Sequence, residues 1–314
     1  MGFDGKILHY QYFFGKIGMT YGRGSETLID GPTEIAGLTV KGTEVYTTTV
    51  TNTGIGLDFH GTALWHTGYL DLTTGKNKPA DFNGPVFADL KGKIEPIIGV
   101  RLKTNIKDID ARDLHFSHDW IAVDLKGATT FEQSYLRFNV VFQTKTDAPI
   151  TFRAGDESVF VRGQRGADKL YGGKGNDVFE GGDGKDRLSG GAGNDHLDGG
   201  AGQDDLYGGT GKDRFIFKSA KELGTSKTAT DTIFDFSKGD VIDLSAIDAN
   251  SKLAGDQPFT LIAAKAFSGK AGELRTEKAA SDTYIYADIN GDKKADFVLH
   301  LDDAVTLTKD MFIL

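Results

Sequence analysis

The sequence predicts an all-β protein with an N-terminal β-sandwich-like domain (residues 1–152), a parallel β-roll (153–216) and a C-terminal β cap (217–314). Six nonapeptide repeats follow one another without a gap from Gly163 to Ile216. Elsewhere, short stretches alternate apolar and polar residues, as strands with one buried face do, and no window shows a helical stripe. In the N-terminal region the alternating stretches are 43–52, 62–72, 84–94, 96–106, 113–125 and 135–144.

Each nonapeptide is a variation on Gly-Gly-x-Gly-x-Asp-x-apolar-x. In register the six read GQRGADKLY, GGKGNDVFE, GGDGKDRLS, GGAGNDHLD, GGAGQDDLY and GGTGKDRFI. Glycines allow positive φ and close backbone approach, so the first six residues can curl into a tight turn with inward carbonyls. The last three residues then form a short strand with one inward side chain. Stacked copies produce a parallel coil with a narrow apolar core.

Every repeat carries an aspartate at its sixth position and an apolar residue at its eighth. The aspartates are Asp168, Asp177, Asp186, Asp195, Asp204 and Asp213. The apolar residues are Leu170, Phe179, Leu188, Leu197, Leu206 and Phe215. Calcium takes about six to eight oxygen ligands, some of them charged, and turn carbonyls with carboxylates supply such a set. The repeats are therefore predicted to bind calcium.

This pattern resembles the repeats-in-toxin, or haemolysin-type, calcium-binding motif. In that family two repeats form one coil, and each ion lies between turns stacked on the same side. The resemblance pairs Asp168 with Asp186, Asp186 with Asp204, Asp177 with Asp195, and Asp195 with Asp213. It implies about four interior calcium sites plus end sites. The turn glycines of the set are Gly172, Gly175, Gly181, Gly184, Gly190, Gly193, Gly199, Gly202, Gly208 and Gly211.

Two departures from regular behaviour are expected in the repeats. The first repeat has Gln164 and Arg165 where glycine and a small residue are usual, so its site should be the weakest. Without metal, the stacked carboxylates repel one another and the glycines lose conformational entropy on ordering. The segment should then be largely disordered in calcium-free solution and fold as ions bind.

A second resemblance, to the C-terminal β-domain of the serralysin metalloproteases, rests on four stretches, at 231–250, 266–275, 286–301 and 307–314. In that family the domain caps the calcium roll and carries the export signal. The ending Asp-Met-Phe-Ile-Leu resembles the uncleaved signal of type I secretion substrates. The resemblance implies a secreted, extracellular or cell-surface protein with the type I machinery as a partner. Asp231, Asp235 and Asp240 are candidate ligands for the last sites, although carboxylates at strand ends are often only solvated.

The segment from Asp288 to Asp296 spaces oxygen ligands as the first nine positions of a calcium loop do. Asp288, Asn290 and Asp292 are the candidate ligands, but Lys293 replaces the usual glycine at position six and the closing Glu is missing. Two interpretations remain open, a surface turn or a weak additional calcium site.

Several function classes lack their motifs. None of the seven histidines is followed by Glu, so the His-Glu-x-x-His of a serralysin-type protease is absent, and so is the Gly-x-Ser-x-Gly of a lipase. There are no cysteines, which excludes disulfides and thiolate metal sites. The net charge is −9 without a basic stripe, which argues against nucleic acid. No apolar run is long enough to span a membrane, and the N-terminus does not read as a secretory signal peptide.

Residues 1–152 offer two sets of candidate ligand-binding side chains. His115, His118 and Asp119 form the densest cluster of potential metal ligands, but residues three apart on a strand point to opposite faces and meet only across a bulge. Trp65 and Trp120 are candidate stacking platforms for sugars, or alternatively core residues.

Three function classes are compatible with these patterns. The first is a secreted, non-enzymatic calcium-binding protein of the matrix or cell surface, whose N-terminal domain binds an extracellular polysaccharide or protein. The second is an extracellular polysaccharide-acting enzyme such as a lyase, which can use scattered residues that leave no local motif. The third is a ligand-scavenging cargo attached to an export module.

Overall fold

The structure is a computed structural model. It describes side chains for residues 98–107, 109–116 and 148–314, and elsewhere only the backbone of the strands given below. The chain divides into two compact units, Met1–Thr146 with Glu157–Phe160 and Asp147–Asp156 with Val161–Leu314. The described residues form strands and two short 3₁₀ turns, Ala111–Asp113 and Lys309–Met311, which confirms the all-β class. Within these ranges, no helix has the length and apolarity needed to cross a membrane.

The first unit consists mainly of antiparallel strands. They are β1 (Lys6–Gly15), β2 (Ser25–Ile29), β3 (Thr33–Ala36), β4 (Thr39–Val40), β5 (Thr43–Glu44), β6 (Tyr46–Val50), β7 (Gly54–Phe59), β8 (Ala63–Leu64), β9 (Gly68–Asp71), β10 (Lys76–Pro79), β11 (Phe82–Ala88), β12 (Ile97–Thr104), β13 (Leu114–Phe116), β14 (Trp120–Val123), β15 (Thr129–Thr130) and β16 (Tyr135–Phe142). Strands β13-β14-β11-β1-β2 form one sheet, and β3-β6-β7-β16-β12 lie side by side in another. Each of the six predicted stretches contains or overlaps at least one strand.

Burial along β12 shows how the alternating pattern builds this unit. Ile98, Val100 and Leu102 are buried, whereas Lys103 is exposed. The 3₁₀ turn that follows is held by a capping box, because the Asp110 carboxylate accepts from the Arg112 N–H and Asp113 Oδ2 accepts from the Asp110 N–H. The turn leads directly into β13.

The remaining strands follow the chain to its C-terminus. They are β17 (Thr151–Arg153), β18 (Ser158–Arg162), β19 (Lys169–Tyr171), β20 (Val178–Gly184), β21 (Arg187–Ala192), β22 (His196–Gly202), β23 (Asp205–Thr210), β24 (Arg214–Ile216), β25 (Thr232–Ile233), β26 (Val241–Asp243), β27 (Thr260–Leu261), β28 (Glu273–Lys278), β29 (Thr283–Asp288), β30 (Phe297–Leu301) and β31 (Phe312–Ile313). Strands β20-β22-β24-β26-β31 line one side of the roll in parallel. The other side has the order β17-β19-β21-β23-β25-β30-β29-β28-β27, where β28, β29 and β30 are antiparallel and form the cap.

The core of the roll is two columns of inward side chains. One column contains Phe152, Leu170, Leu188, Leu206, Ile233 and Leu301. The other contains Phe179, Leu197, Phe215, Ile242 and Phe312. All are buried, so the eighth position of every repeat is a core position, and partners such as Leu170 and Leu188 show that two nonapeptides make one coil.

The roll extends beyond the repeats at both ends. At the start, β17 pairs with β19, so the roll already contains Thr151 and Phe152, which lie before the predicted boundary at 152/153. At the other end, the segment after Phe217 lengthens the spacing between stacked partners from 18 to 27 residues, as the Asp186–Asp204 and Asp204–Asp231 hydrogen bonds show. Stacking continues because β25 and β26 keep the register of the columns.

Candidate metal centre

The six repeat aspartates lie at the turns that precede the strands of the roll. Each of them is at most 1% exposed, although an aspartate is normally among the most exposed residues. They form two columns, because successive coils stack. One column contains Asp168, Asp186 and Asp204, and the other contains Asp177, Asp195 and Asp213.

One oxygen of five of these carboxylates connects neighbouring coils. Oδ1 of Asp186 accepts a hydrogen bond from the backbone N–H of Asp168 over 2.7 Å, and Oδ1 of Asp195 accepts from that of Asp177 over 2.7 Å. In the same way, the N–H groups of Asp186 and Asp195 donate to Oδ1 of Asp204 and of Asp213, respectively. The first coil is tied in this way too, since Asp168 Oδ1 accepts from the Ile150 N–H over 2.7 Å.

The second oxygen of the carboxylate points into the turn, where it meets a carbonyl from the next coil. A Cβ on Gly163 would lie less than 3.0 Å from both Asp168 Oδ2 and the Gly181 carbonyl oxygen. A Cβ on Gly181 would meet Asp186 Oδ2 and the Gly199 carbonyl oxygen in the same way. A carboxylate oxygen and a carbonyl oxygen therefore converge at a place that only glycine leaves open.

In five of the six repeat aspartates this inward oxygen has no hydrogen-bond donor, whereas Asp177 Oδ2 accepts from the Gly173 N–H over 3.1 Å. Among the described side chains, the buried carboxylate oxygens without a partner are Oδ2 of Asp168, Asp186, Asp195, Asp204, Asp213 and Asp231. A buried acceptor without a donor costs about 1–3 kcal/mol, and more when it is charged. A hard divalent cation removes this cost, because calcium prefers carboxylate and carbonyl oxygens. The donor set and its spacing between coils fit calcium.

Burial also changes the acidity of these groups. Desolvation, together with a smaller contribution from the neighbouring carboxylates of Asp177 and Asp213, raises the pKa of Asp195 to about 8. Desolvation likewise raises the pKa of Asp186 to about 7 and those of Asp204 and Asp213 to about 6. A cation between the coils would favour the ionised form and reverse these shifts.

The columns continue beyond the repeats into the cap. Asp231 and Asp240, both buried, accept through Oδ1 from the backbone N–H groups of Asp204 and Asp213. The two differ at the second oxygen: that of Asp231 has no donor, whereas that of Asp240 accepts from the Ser237 N–H over 2.7 Å. Desolvation raises the pKa of Asp231 to about 8.

Asp235 is engaged differently from these two residues. Its carboxylate accepts from the backbone N–H groups of Gly208 and Gly209 over 2.8 and 3.0 Å. Both oxygens therefore hold the turn of the last repeat.

The loop from Asp288 to Asp296 binds its own backbone. The buried Asp288 carboxylate accepts from the N–H groups of Gly291 and Lys293 over 2.6 and 2.9 Å, and Asp296 accepts from that of Ile289 over 2.7 Å. Lys293 takes the left-handed conformation, with φ of 69°, that glycine has in calcium loops. These bonds support the surface-turn interpretation, since they account for the carboxylates without an ion.

The N-terminal candidates are only partly described. His115 is exposed on β13, where it pairs with Ala122 of β14. Trp120 begins β14, but its side chain, together with Trp65, His118 and Asp119, lies outside the described residues. The structure therefore leaves both N-terminal sets as predictions.

Comparison with known proteins agrees with this architecture. Residues 161–313 match the family described as Peptidase M10 serralysin C terminal. Two solution structures of mannuronan C5-epimerase subunits from Azotobacter vinelandii are similar to the chain. The AlgE6R2 subunit is 26% identical over 53% of this chain and 92% of its own, with a TM-score of 0.37. The AlgE6R3 subunit is 28% identical over 54% of this chain and 80% of its own, with a TM-score of 0.33.

No curated protein matches the chain. The resemblance rests instead on the family match and on the repeats, which in the structure form stacked turns and two core columns. Residues 161–313 therefore form a β-roll of the repeats-in-toxin type that matches the serralysin C-terminal family.

Proposed function

We propose that the roll binds several calcium ions between stacked turns, and that this binding drives its folding. The observation that carries the proposal is the set of buried carboxylate oxygens without a donor, repeated in register along both columns. In each site, Oδ1 would keep its hydrogen bond between coils while Oδ2 and the turn carbonyls hold the ion. Binding free energy would then become folding free energy, because the site requires the coil to be stacked.

The test is a calcium titration followed by far-UV circular dichroism. The full chain, freed of metal, should gain β signal cooperatively as calcium is added to the millimolar range and should lose it with a chelator. Magnesium should not replace calcium, because it requires a tighter octahedral set of ligands. An identical spectrum with calcium and with chelator would refute calcium-linked folding.

We further propose that the protein is exported by a type I machine and folds outside the cell. Extracellular modules typically bind calcium with dissociation constants of about 10⁻⁴–10⁻³ M, which leaves them metal-free in the cytosol. The stacked carboxylates would keep the roll unfolded there. Export can be tested in a bacterial host with a type I machine, comparing the full chain with one lacking residues 307–314. Equal secretion of both would contradict the proposed signal.

For its role outside the cell, we propose that the N-terminal domain binds an extracellular polysaccharide, with an extracellular protein as the alternative partner. The roll adds one supporting observation. On its outer face, guanidinium groups lie over half-buried tyrosine rings, with Arg153 4.0 Å from the centre of Tyr171 and Arg187 4.4 Å from that of Tyr207. Tyr207 also stacks on Phe234, with centroids 4.6 Å apart. Rings flanked by cations suit acidic sugars.

A binding assay separates this role from catalysis. The calcium-loaded chain should bind immobilised acidic polysaccharides saturably without changing them, and Tyr171→Ala should weaken binding. Lyase absorbance measured on the same polysaccharides tests the enzymatic alternative, because formation of unsaturated products would favour the lyase.

A further inference from the structure

A histidine and two aspartates meet on the outer face of the cap. His300 of β30 pairs with Thr232 of β25 on one side and with Tyr284 of β29 on the other. Neighbouring Leu299 and Leu301 are fully buried, so His300 faces outwards. Asp302 follows two residues later and therefore points to the same side of the sheet.

The second aspartate arrives from the neighbouring strand. Asp282 precedes β29 and, continuing the antiparallel register, stands opposite Asp302. Its Oδ1 lies 2.9 Å from His300 Nε2. One ligand atom from each of Asp282, His300 and Asp302 lies within 4.8 Å of the other two.

The imidazole is held in one orientation by groups outside this cluster. Its Nδ1 is hydrogen-bonded to Thr232 Oγ1 over 3.1 Å, and its ring stacks on Tyr284 with centroids 4.8 Å apart and planes 15° apart. When Nδ1–H donates to the hydroxyl, the lone pair of Nε2 faces the two carboxylates. Metal-binding histidines are commonly fixed by such a bond at the other nitrogen.

We infer that Asp282, His300 and Asp302 bind one divalent transition-metal ion of the zinc class. An imidazole nitrogen with two carboxylates suits zinc, whereas calcium and magnesium prefer oxygen throughout. Ligands about 2.1 Å from a tetrahedral zinc ion stand about 3.4 Å apart, so the exposed Asp302 carboxylate must turn inwards on binding. The remaining coordination position faces solvent. This site is separate from the carboxylate columns.

An ion pair between His300 and Asp282 without metal is the alternative. An ion pair does not require Asp302 and binds no metal. The experiment therefore tests for metal binding and for the contribution of Asp302. The full chain is first saturated with calcium, so that the roll is folded and its oxygen sites are filled. Cobalt(II) then serves as the spectroscopic probe, because its visible absorption reports tetrahedral coordination with a nitrogen ligand, and zinc(II) serves as the competitor.

The expected result is about one equivalent of tightly bound cobalt, displaced by zinc. His300→Ala should abolish the absorption, Asp302→Asn should weaken binding, and Thr232→Val should lower affinity by about tenfold or more. His196→Ala is the matched control, because His196 lies on β22 of the roll and belongs to no proposed site, and it should retain the absorption. Each variant is used only if its calcium-induced dichroism equals that of the parent.

Three outcomes would overturn the inference. The first is the absence of cobalt binding to the calcium-loaded chain, and the second is equal binding by His300→Ala and the parent. The third is loss of binding in His300→Ala while Asp302→Asn binds cobalt as tightly as the parent. The first two would leave the ion pair alone, and the third would remove Asp302 from the site. None of them bears on calcium binding by the roll.

Discussion

The backbone N–H of Asp177 donates to Oδ1 of Asp195 over 2.7 Å, across the boundary between two coils. The other oxygen of the same carboxylate is buried without a donor. One side chain therefore holds two coils together with Oδ1 and presents Oδ2 to the proposed ion site. Because both roles need the same rotamer, stacking and ion binding should reinforce each other along the column.

Replacing a central aspartate should therefore be more damaging than replacing a terminal one. Asp195 is proposed to serve two sites, one with Asp177 and one with Asp213, whereas Asp168 serves one interior site and an end site. A hydrogen bond to a charged group contributes about 1.5–3 kcal/mol, and Asp195→Ala removes such a bond together with a ligand of two sites. We expect Asp195→Ala to raise the calcium midpoint of folding, and lower the ion stoichiometry, more than Asp168→Ala does.

Isothermal titration calorimetry and circular dichroism on the two variants check this expectation. The parent chain at equal concentration is the reference. Equal losses in the two variants would replace the shared geometry with independent sites, one for each repeat.

A methyl group placed where a carboxylate oxygen and a turn carbonyl oxygen converge should block a site without removing any ligand. A Cβ on Gly181 would lie less than 3.0 Å from both Asp186 Oδ2 and the Gly199 carbonyl. We expect Gly181→Ala to lower calcium stoichiometry and raise the folding midpoint. The control is Gly255→Ala, at φ of 94° on an exposed loop where the nearest neighbour, Gln257 Nε2, would lie 3.5 Å from the new Cβ.

The control should cost about 1 kcal/mol of backbone strain without changing the number of ions. Calorimetry at saturating calcium distinguishes the two variants. If Gly181→Ala bound as many calcium ions as the parent, the oxygens beside Gly181 would not form a calcium site.

The two aspartates that extend the columns into the cap should behave differently from each other. Asp231 has an inward oxygen without a donor, while that of Asp240 is already bonded to the Ser237 N–H. We expect Asp231→Ala to remove about one ion per chain, and Asp240→Ala to leave the stoichiometry unchanged while destabilising the last coil. Ion counting by mass spectrometry under non-denaturing conditions checks both. Loss of an ion in Asp240→Ala but not in Asp231→Ala would contradict the assignment of the end site to Asp231.

The repeats allowed most of the roll to be predicted, because position six and position eight have fixed places in every coil. The start of the first strand of the roll was not predicted, because Phe152 has no Gly-Gly turn before it and has only its spacing of 18 residues from Leu170 in common with the other core residues. Asp231 and Asp240 break the period because of the insertion, although each still stands two residues before a core residue, Ile233 or Ile242.

Other features depend on strand pairing, which the sequence leaves undetermined. Strand β1 lies outside the six stretches that were predicted to form strands, yet it lies between β11 and β2 within a sheet. Asp282 and His300 are distant along the chain and meet only through the β29–β30 register. A one-residue slip would move one of them to the opposite face, so their proximity could not be read from spacing.

The metal-free roll should become less stable as the pH rises. Burial raises the pKa of Asp195 and Asp231 to about 8 and that of Asp186 to about 7, from an ordinary value of 3.8 that the unfolded chain retains. Between these limits the folded state binds more protons than the unfolded state, so the free energy of unfolding falls with rising pH. Calcium requires the ionised carboxylates, so its affinity should change in the opposite direction and rise with pH.

We therefore expect the chain, stripped of metal by dialysis, to show more β signal at about pH 5 than at about pH 8, and its calcium midpoint to fall over the same interval. Dialysis is preferred to a chelator because the affinity of chelators itself depends on pH. Asp195→Asn provides the control: its amide does not titrate, so the pH dependence of both quantities should become shallower. If the metal-free signal were instead to grow with pH, or if Asp195→Asn kept the slope of the parent, the buried carboxylates would not be the groups that link protons and calcium to folding.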